Sequence, residues 1–116
     1  MKICALFEQQ RGMEAAERYF SPDYLEHNPD IPGGNLEGFK QVLVRERMDR
    51  PGLRDVRLKV LNVVAEGDHV CVHMWCEEPG SPPLRILELY RVEDGKVVEH
   101  WDAMRVEDQL PIPASA

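Results

Sequence analysis

The fold follows from one stretch near the C-terminus, which reads Glu88-Leu-Tyr-Arg-Val-Glu-Asp-Gly-Lys-Val-Val-Glu-His-Trp-Asp-Ala-Met104. Two apolar runs flank the pair Asp94-Gly95, and an Asp-Gly pair between strand-like runs predicts a β-hairpin. Side chains two residues apart share one face of a strand, so His100 and Asp102 interrupt an otherwise apolar row. That row therefore either faces water or lines a pocket.

The composition indicates a single domain, spanning residues 1–116, with a core that buries roughly two-thirds of the unfolded surface. The formal charge of −7 comes from 21 acidic and 14 basic residues, which argues against nucleic acid or an anionic membrane as a partner. Cys71 and Cys76 have an odd spacing on one predicted strand and cannot easily bridge each other. With no signal pattern or bilayer-length apolar run in the sequence, we expect a cytoplasmic protein.

The first half of the chain is predicted to be helical. Apolar residues at helical spacing predict short helices over about 3–7 and 13–20, separated by a break at 10–12. The segment 21–34 is rich in Pro and Gly and is predicted to be an ordered loop. Asn35 is a suitable N-cap for a third helix that runs to about Asp49.

The second half alternates with a period of two, which predicts strands over about 56–64, 69–76 and 84–92 before the last strand of the hairpin. Residues from about 105 to 116 are expected to form a loosely held tail. Helices followed by antiparallel strands are typical of an α+β architecture, with the helices packed on one side of a curved sheet. A cavity between the two layers is the expected site.

Three stretches resemble one family: Tyr24-Leu-Glu-His-Asn-Pro29, Val70-Cys-Val-His73 and Tyr90-Arg-Val-Glu-Asp-Gly-Lys-Val-Val-Glu-His-Trp-Asp102. Over nearly its whole length the chain resembles the SnoaL-like group of the nuclear transport factor 2-like superfamily. The resemblance implies a cone-shaped, curved antiparallel or mixed sheet with N-terminal helices packed on its concave face. It also implies a deep apolar cavity and a homodimer formed through the sheet.

The resemblance further implies an activity. SnoaL-like polyketide cyclases close a ring by intramolecular aldol condensation, using acid/base residues and neither metal nor organic cofactor. Asp102 corresponds to their catalytic aspartate. Glu88 occupies the position of the second acid/base residue, which is His in the cyclases and commonly Asp in other members. The same cone hosts isomerases, dehydratases, hydrolases and binding modules, so the site itself must carry the function.

Glu88 and Asp102 are candidate catalytic residues because an aldol closure needs both a base and an acid. An apolar pocket raises carboxyl pKa values, so two carboxyl groups that share a cavity can divide these tasks and titrate as a pair. In the alternative interpretation, Glu88 pairs with Arg85 or Arg91 near a sheet edge and Asp102 meets solvent. Both would then be ordinary surface ions.

His100 is the third catalytic candidate, since it can face the same substrate as Asp102 and imidazole suits proton transfer near neutral pH. It could instead orient Asp102 or satisfy a buried partner. His73 lies between Cys71 and Trp75 on one face of its strand. If that face is concave, His73 adds a second imidazole to the cavity; otherwise it lies on the outer face of the sheet.

Further candidates for substrate binding come from the loop and from aromatic residues. His27 follows Tyr24 by three residues at the expected cavity mouth, where the two side chains either bind a substrate or fix the loop by hydrogen bonds. Aromatic residues are more often part of a core or dimer interface, but a few should line any apolar cavity. The aromatic candidates are Trp75, Phe39 and Tyr90, whereas Trp101 is expected on the convex, dimer-facing side.

A metal site is a minor option. The set His73, Glu88, His100 and Asp102 is chemically sufficient for zinc or iron, but its spacing does not support a site and the resembled family needs none. We therefore expect no metal and no organic cofactor.

The primary hypothesis is a cofactor-independent acid/base enzyme that acts on a small, largely apolar carbonyl compound. Its reaction would be an aldol-type cyclisation, an isomerisation or a hydration. The alternative is a non-catalytic ligand-binding or structural homodimer of the same fold, with a collapsed or filled cavity.

Overall fold

The computed structural model describes residues 2–107, which fold into helices packed against one mixed sheet. The α-helices are α1 (Lys2–Glu8), α2 (Gly12–Tyr19) and α3 (Leu36–Arg45), with a 3₁₀ turn at Pro32–Gly34. The strands are β1 (Phe20–Glu26), β2 (Arg57–Glu66), β3 (His69–Glu77), β4 (Leu84–Glu93) and β5 (Lys96–Val106). Their order is β1-β5-β4-β3-β2, with β1 parallel to β5 and the other neighbours antiparallel. The α+β prediction is confirmed.

The predicted hairpin forms between β4 and β5. Asp94 and Gly95 have φ angles of 51° and 76°, the left-handed backbone that a tight two-residue turn requires at both central positions. The turn fixes the register, so that Glu88 lies directly opposite Asp102 and Tyr90 directly opposite His100. Turn chemistry therefore brings ionisable side chains from two strands to one face.

The segment 20–26 is a strand and not part of a loop, which corrects the expectation for 21–34. Phe20 pairs with Val97 and Glu26 pairs with His100, in a parallel ladder at the edge of the sheet. Pro22 is exposed, and an edge strand tolerates a residue that lacks a backbone N–H donor. The strand forms because β5 supplies its hydrogen-bond partners.

The helices cover one face of the sheet, which we call the inner face. Side chains of Ile3 and Leu6 on α1 and the fully buried Ala15 on α2 pack with inner-face residues such as Val72 and Met74. Since β3 residues at even positions point to this face, Cys71, His73 and Trp75 point to the opposite, outer face. No helix within residues 2–107 has the length and apolar character needed to cross a membrane.

Two helix boundaries and one strand end refine the predictions. Asn35 caps α3 as predicted, since its side chain accepts a hydrogen bond from the backbone N–H of Gly38 at 2.9 Å. The helix ends at Arg45, four residues before the predicted end, because Arg47 takes a left-handed φ of 57°. Strand β5 continues to Val106, so the first residues of the expected tail belong to the sheet; residues 108–116 lie outside the described range.

Candidate active site

A cavity of about 240 Å³ lies between the inner face of the sheet and the helices. Most of its wall is apolar, formed by side chains that include Phe7, Phe20, Phe39, Leu58, Met74 and Ile86. At one end the wall changes character and carries the polar side chains of Glu26, Asn28, Glu88, His100 and Asp102. The volume lies below the roughly 300–1,000 Å³ typical of pockets for drug-sized ligands, so the cavity suits a small molecule.

Three neighbouring strands place the ionisable groups. Glu88 on β4 is paired with Asp102 on β5, and His100 lies two residues before Asp102 on the same face. Glu26, the last residue of β1, is paired with His100 from the other side. The sheet thus presents one imidazole surrounded by three carboxyl groups.

His100 connects two of these carboxyl groups. Its Nδ1 lies 2.6 Å from Oε2 of Glu26, and its Nε2 forms a hydrogen bond with Oε2 of Glu88. Glu26 is itself held in place, because the Tyr24 hydroxyl donates to its Oε2 and the Asn28 backbone N–H donates to its Oε1 at 3.0 Å. Glu26 therefore fixes the orientation of the imidazole ring and leaves Nε2 directed at Glu88.

Burial and charge shift the pKa values of His100 and Glu88. Burial by itself would lower the pKa of His100, but the hydrogen bonds to Glu26 and Glu88 outweigh it and raise that pKa to about 10. Burial also raises the pKa of Glu88, an effect that the hydrogen bond to His100 opposes and the charge of Asp102 reinforces. The hydrogen bond between Glu88 and Nε2 of His100 therefore joins two groups whose pKa values are both raised.

The aromatic ring of Tyr90 supports the imidazole. The two rings are stacked, with centroids 4.8 Å apart and planes inclined by 18°. A stacked phenol ring stabilises a charged imidazole by cation–π attraction. Burial raises the pKa of Tyr90 well above its ordinary value, so the phenol stays neutral beside Glu88.

Asp102 is held by a neutral partner. The side-chain amide of Asn28 donates from Nδ2 to Oδ2 of Asp102 at 3.2 Å. The amide is oriented because its Oδ1 accepts from the backbone N–H of Asp30 at 2.9 Å. Asp102 thus lines the cavity, and among the described residues it forms no hydrogen bond with a cationic side chain.

The structure brings together some of the residues predicted from the sequence. Glu88, His100, Asp102, Phe39 and Tyr90 all line the cavity. Tyr24 is buried, with 2 % of its surface exposed, and reaches the site through its hydrogen bond to Glu26 and not through the cavity wall.

His27 lies on the outer face, contrary to the expectation that it binds substrate at the cavity mouth. Its ring stacks on Trp101 at 4.7 Å with the planes 2° apart, and its Nε2 lies 2.6 Å from Oε2 of Glu99. Because His27 follows Glu26 directly, the alternation of the extended chain directs it away from the cavity. Trp101 is on the outer face, as expected.

His73 and Trp75 also lie on the outer face, contrary to the expectation that they bind substrate. The two ring nitrogens of His73 contact Oδ1 of Asn62 and a guanidinium nitrogen of Arg85, each at 2.8 Å. Trp75 packs beneath the same guanidinium, whose carbon lies 5.1 Å from the ring centroid. The metal set that included His73 therefore cannot meet at one point.

Glu26 and Asn28 are site residues that the sequence reasoning missed. The sequence offered no local signal for them, because apolar Leu25 is exposed and charged Glu26 is buried, the reverse of what their polarity suggests. The neighbouring prolines also favoured a loop. Glu26, His100 and Asp102 each offer a ligand atom within 4.8 Å of the other two. They could hold a metal ion if one hydrogen bond between His100 and a carboxyl group broke and freed a ring nitrogen as a ligand.

Comparisons with known proteins agree with this architecture. The model of the SnoaL-like domain matches residues 3–100. TsrD from Streptomyces laurentii is 20 % identical, with coverage of 90 % of this chain and 84 % of TsrD and a TM-score of 0.69. Wild-type IdmH, a candidate polyketide cyclase from Streptomyces antibioticus, is 23 % identical, with 89 % of each chain covered and a TM-score of 0.64.

AclR, a candidate hydroxylase from Streptomyces galilaeus, is 21 % identical, with coverage of 89 % of this chain and 83 % of AclR and a TM-score of 0.62. No curated protein gives a significant match. At these identities the solved structures establish the fold alone, whereas the domain model spans most of the sequence. The chain belongs to the SnoaL-like domain family.

Proposed function

We propose that the protein is a cofactor-independent acid/base enzyme acting on a small, largely apolar carbonyl compound. The observation that carries this proposal is the direct pairing of Glu88 with Asp102 on the inner face, where both line an apolar cavity beside His100. Aldol-type cyclisation, isomerisation and hydration all involve proton transfer at carbon and at a carbonyl oxygen. The name of IdmH as a candidate polyketide cyclase is compatible with this chemistry.

Each polar group has a separate task in the proposed mechanism. Asp102 removes a proton from the carbon next to the substrate carbonyl. The Glu88–His100 pair, joined by the hydrogen bond at Nε2, protonates the carbonyl oxygen as the enolate forms. Glu26 does not touch substrate; it is a positioning residue that holds His100.

The apolar wall supports this division of labour. Around Glu88 it disfavours the charged carboxylate, which raises the pKa of that group and favours its acid form. It also keeps water from competing for the hydrogen bonds of the carbonyl oxygen, which strengthens them.

The test uses 2-tetralone, an apolar bicyclic ketone, and follows deuterium incorporation at its α-carbon by NMR in D₂O. The wild-type protein is expected to accelerate exchange above the buffer rate. Glu88→Gln should slow the protein-dependent rate by about tenfold to a hundredfold, because a Gln amide can donate a hydrogen bond but cannot give up its proton.

Glu66→Gln is the matched control, since Glu66 is exposed at the end of β2 and its neutralisation should leave the rate unchanged. Exchange at the buffer rate with the wild-type protein would argue against the enzyme. Ketone binding without exchange would instead favour the alternative, a non-catalytic binding module of the same fold.

We also propose that the protein forms a homodimer through the outer face of the sheet. That face exposes Leu25, Val64 and Leu87, each at 48 % or more, beside the half-buried Trp101. Exposed apolar side chains on one face favour burial against a second copy. Sedimentation velocity should give twice the chain mass, and Leu87→Glu should give the monomer mass; a monomeric wild-type protein would contradict the proposal.

A further inference from the structure

The cavity wall is rich in acidic side chains. Four contribute to it, those of Glu26, Glu46, Glu88 and Asp102, of which Glu46 is paired with Arg45 and Arg54 at 3.2 and 3.4 Å. Among the described wall residues, His100 is the sole basic side chain, and none is Lys or Arg. Residues 108–116, which lie outside the described range, contain no Lys or Arg either.

The positive charge of His100 is already engaged. Both of its ring nitrogens bond to carboxyl groups, one to Glu26 and one to Glu88, so little of this charge is left for a ligand. Asp102 receives its hydrogen bond from the uncharged amide of Asn28. The polar end of the cavity therefore retains a net negative charge centred on Asp102.

Part of the wall is aromatic. Phe20 lies at the centre of a cluster of rings, 5.0 Å from Phe39 and 6.5 Å from Phe7 between centroids, and all three line the cavity. The negative faces of aromatic rings attract cations and also accept apolar groups. An organic cation with an apolar body would contact both the aromatic rings and the carboxyl groups, whereas a bare metal ion would leave most of the apolar wall without a partner.

On the basis of the proposed function, we propose that the natural ligand carries a protonated nitrogen on its apolar body, attracted by the negative charge at the polar end of the cavity. Carboxylate and phosphate compounds are disfavoured, because their charge would meet Asp102 without a free cationic side chain among the described wall residues. The substrate class is thus an apolar carbonyl compound that bears a basic nitrogen.

Calorimetric titration in metal-free buffer at pH 7 tests this assignment with three probes of matched shape. They are 2-naphthylmethylamine, which is cationic, 2-acetonaphthone, which is a neutral ketone, and 2-naphthoate, which is anionic. The amine is expected to bind more tightly than the ketone by roughly tenfold to a hundredfold, and the naphthoate more weakly than the ketone.

Asp102→Asn should reduce the affinity for the amine by about tenfold and leave that for the ketone nearly unchanged, since the substitution removes charge with little change in shape. Asp23→Asn removes the same charge from an exposed site on β1 and should change neither affinity. The inference is overturned if the ketone binds as tightly as the amine, if both variants lose amine affinity equally, if no probe binds, or if the amine preference requires a divalent metal.

The outcomes separate this inference from the proposed function. Exchange of 2-tetralone without a preference for the amine would leave the acid/base enzyme standing and reject the cationic ligand. A preference for the amine without exchange would do the reverse.

Discussion

Asp102→Asn is expected to slow α-proton exchange of 2-tetralone by roughly 10²- to 10⁴-fold while the protein stays folded. An Asn amide has nearly the shape of the carboxylate, and its oxygen can still accept the hydrogen bond from Nδ2 of Asn28, but it cannot accept a proton from carbon. Asp102 lines the cavity and lies opposite Glu88 in the hairpin. Its replacement therefore removes the base but keeps the backbone pairing of β4 with β5. NMR exchange rates at saturating ketone, with circular dichroism to check folding, measure the effect.

Asp23→Asn serves as the matched control for this variant. Asp23 lies on the exposed side of β1, away from the cavity, so the same chemical change there should leave the exchange rate within error of the wild type. An Asp102→Asn protein that exchanges the ketone at the wild-type rate would remove Asp102 from the mechanism.

The second large effect concerns Glu26 and the pH dependence of stability. In the folded protein the pKa of His100 is about 10, above its ordinary value of 6.5. As the pH rises, the unfolded state therefore loses this proton before the folded state does. The resulting stabilisation is fully present below pH 6.5 and is lost as the pH rises through about 10. The raised pKa of Glu88 acts in the same direction.

Glu26→Gln should therefore lower the free energy of unfolding by about 1–3 kcal/mol at pH 6, because a buried charge-assisted hydrogen bond is replaced by a weaker one. Glu26 is well placed for this test, since only 1 % of its side chain is exposed. The variant should also lose less stability than the wild type between pH 6.5 and 10. Urea unfolding followed by circular dichroism at several pH values gives both quantities.

Glu66→Gln is the control for the Glu26 variant, because it removes the same charge from an exposed position. It should leave both the free energy of unfolding at pH 6 and its decline toward pH 10 unchanged. If wild type and Glu26→Gln decline in parallel, the hydrogen bond between Glu26 and His100 is not what holds the proton.

The hairpin and its chemistry could be predicted from the sequence because both depend on local rules. Asp94-Gly95 fixes the turn, and the period of two places His100 and Asp102 on one face. The partnership of Glu88 with Asp102 then follows from the register. For the same reason the cap at Asn35 was predictable, since an N-cap depends on residues within one helical turn.

The contribution of β1 could not be predicted in this way. The strand exists because β5 pairs with it in parallel, a contact across more than 70 residues that leaves no local pattern. Because the strand was not predicted, Glu26 and Asn28 could not be assigned to the site. Alternation also cannot say which face is inner, which is why His73 and Trp75 were expected in the cavity and are found outside it.

The structure clarifies the meaning of Glu at position 88. The resemblance to polyketide cyclases implies a His at this position. Here the imidazole comes from the neighbouring strand, as His100, and Glu88 bonds to its Nε2. The pair thus supplies both an imidazole and a carboxyl group at this end of the cavity, with Glu26 in support.

The central claim is that Glu88, His100 and Asp102 act as one acid/base unit. It is tested most directly by the exchange rate of the double variant Glu88→Gln/Asp102→Asn compared with the two single variants. When two residues act in the same step, replacing the second slows the reaction little once the first has been replaced. The double variant should therefore be no more than about threefold slower than Asp102→Asn alone. Losses that multiply, or a double variant that exchanges the ketone as fast as the wild type, would contradict the claim.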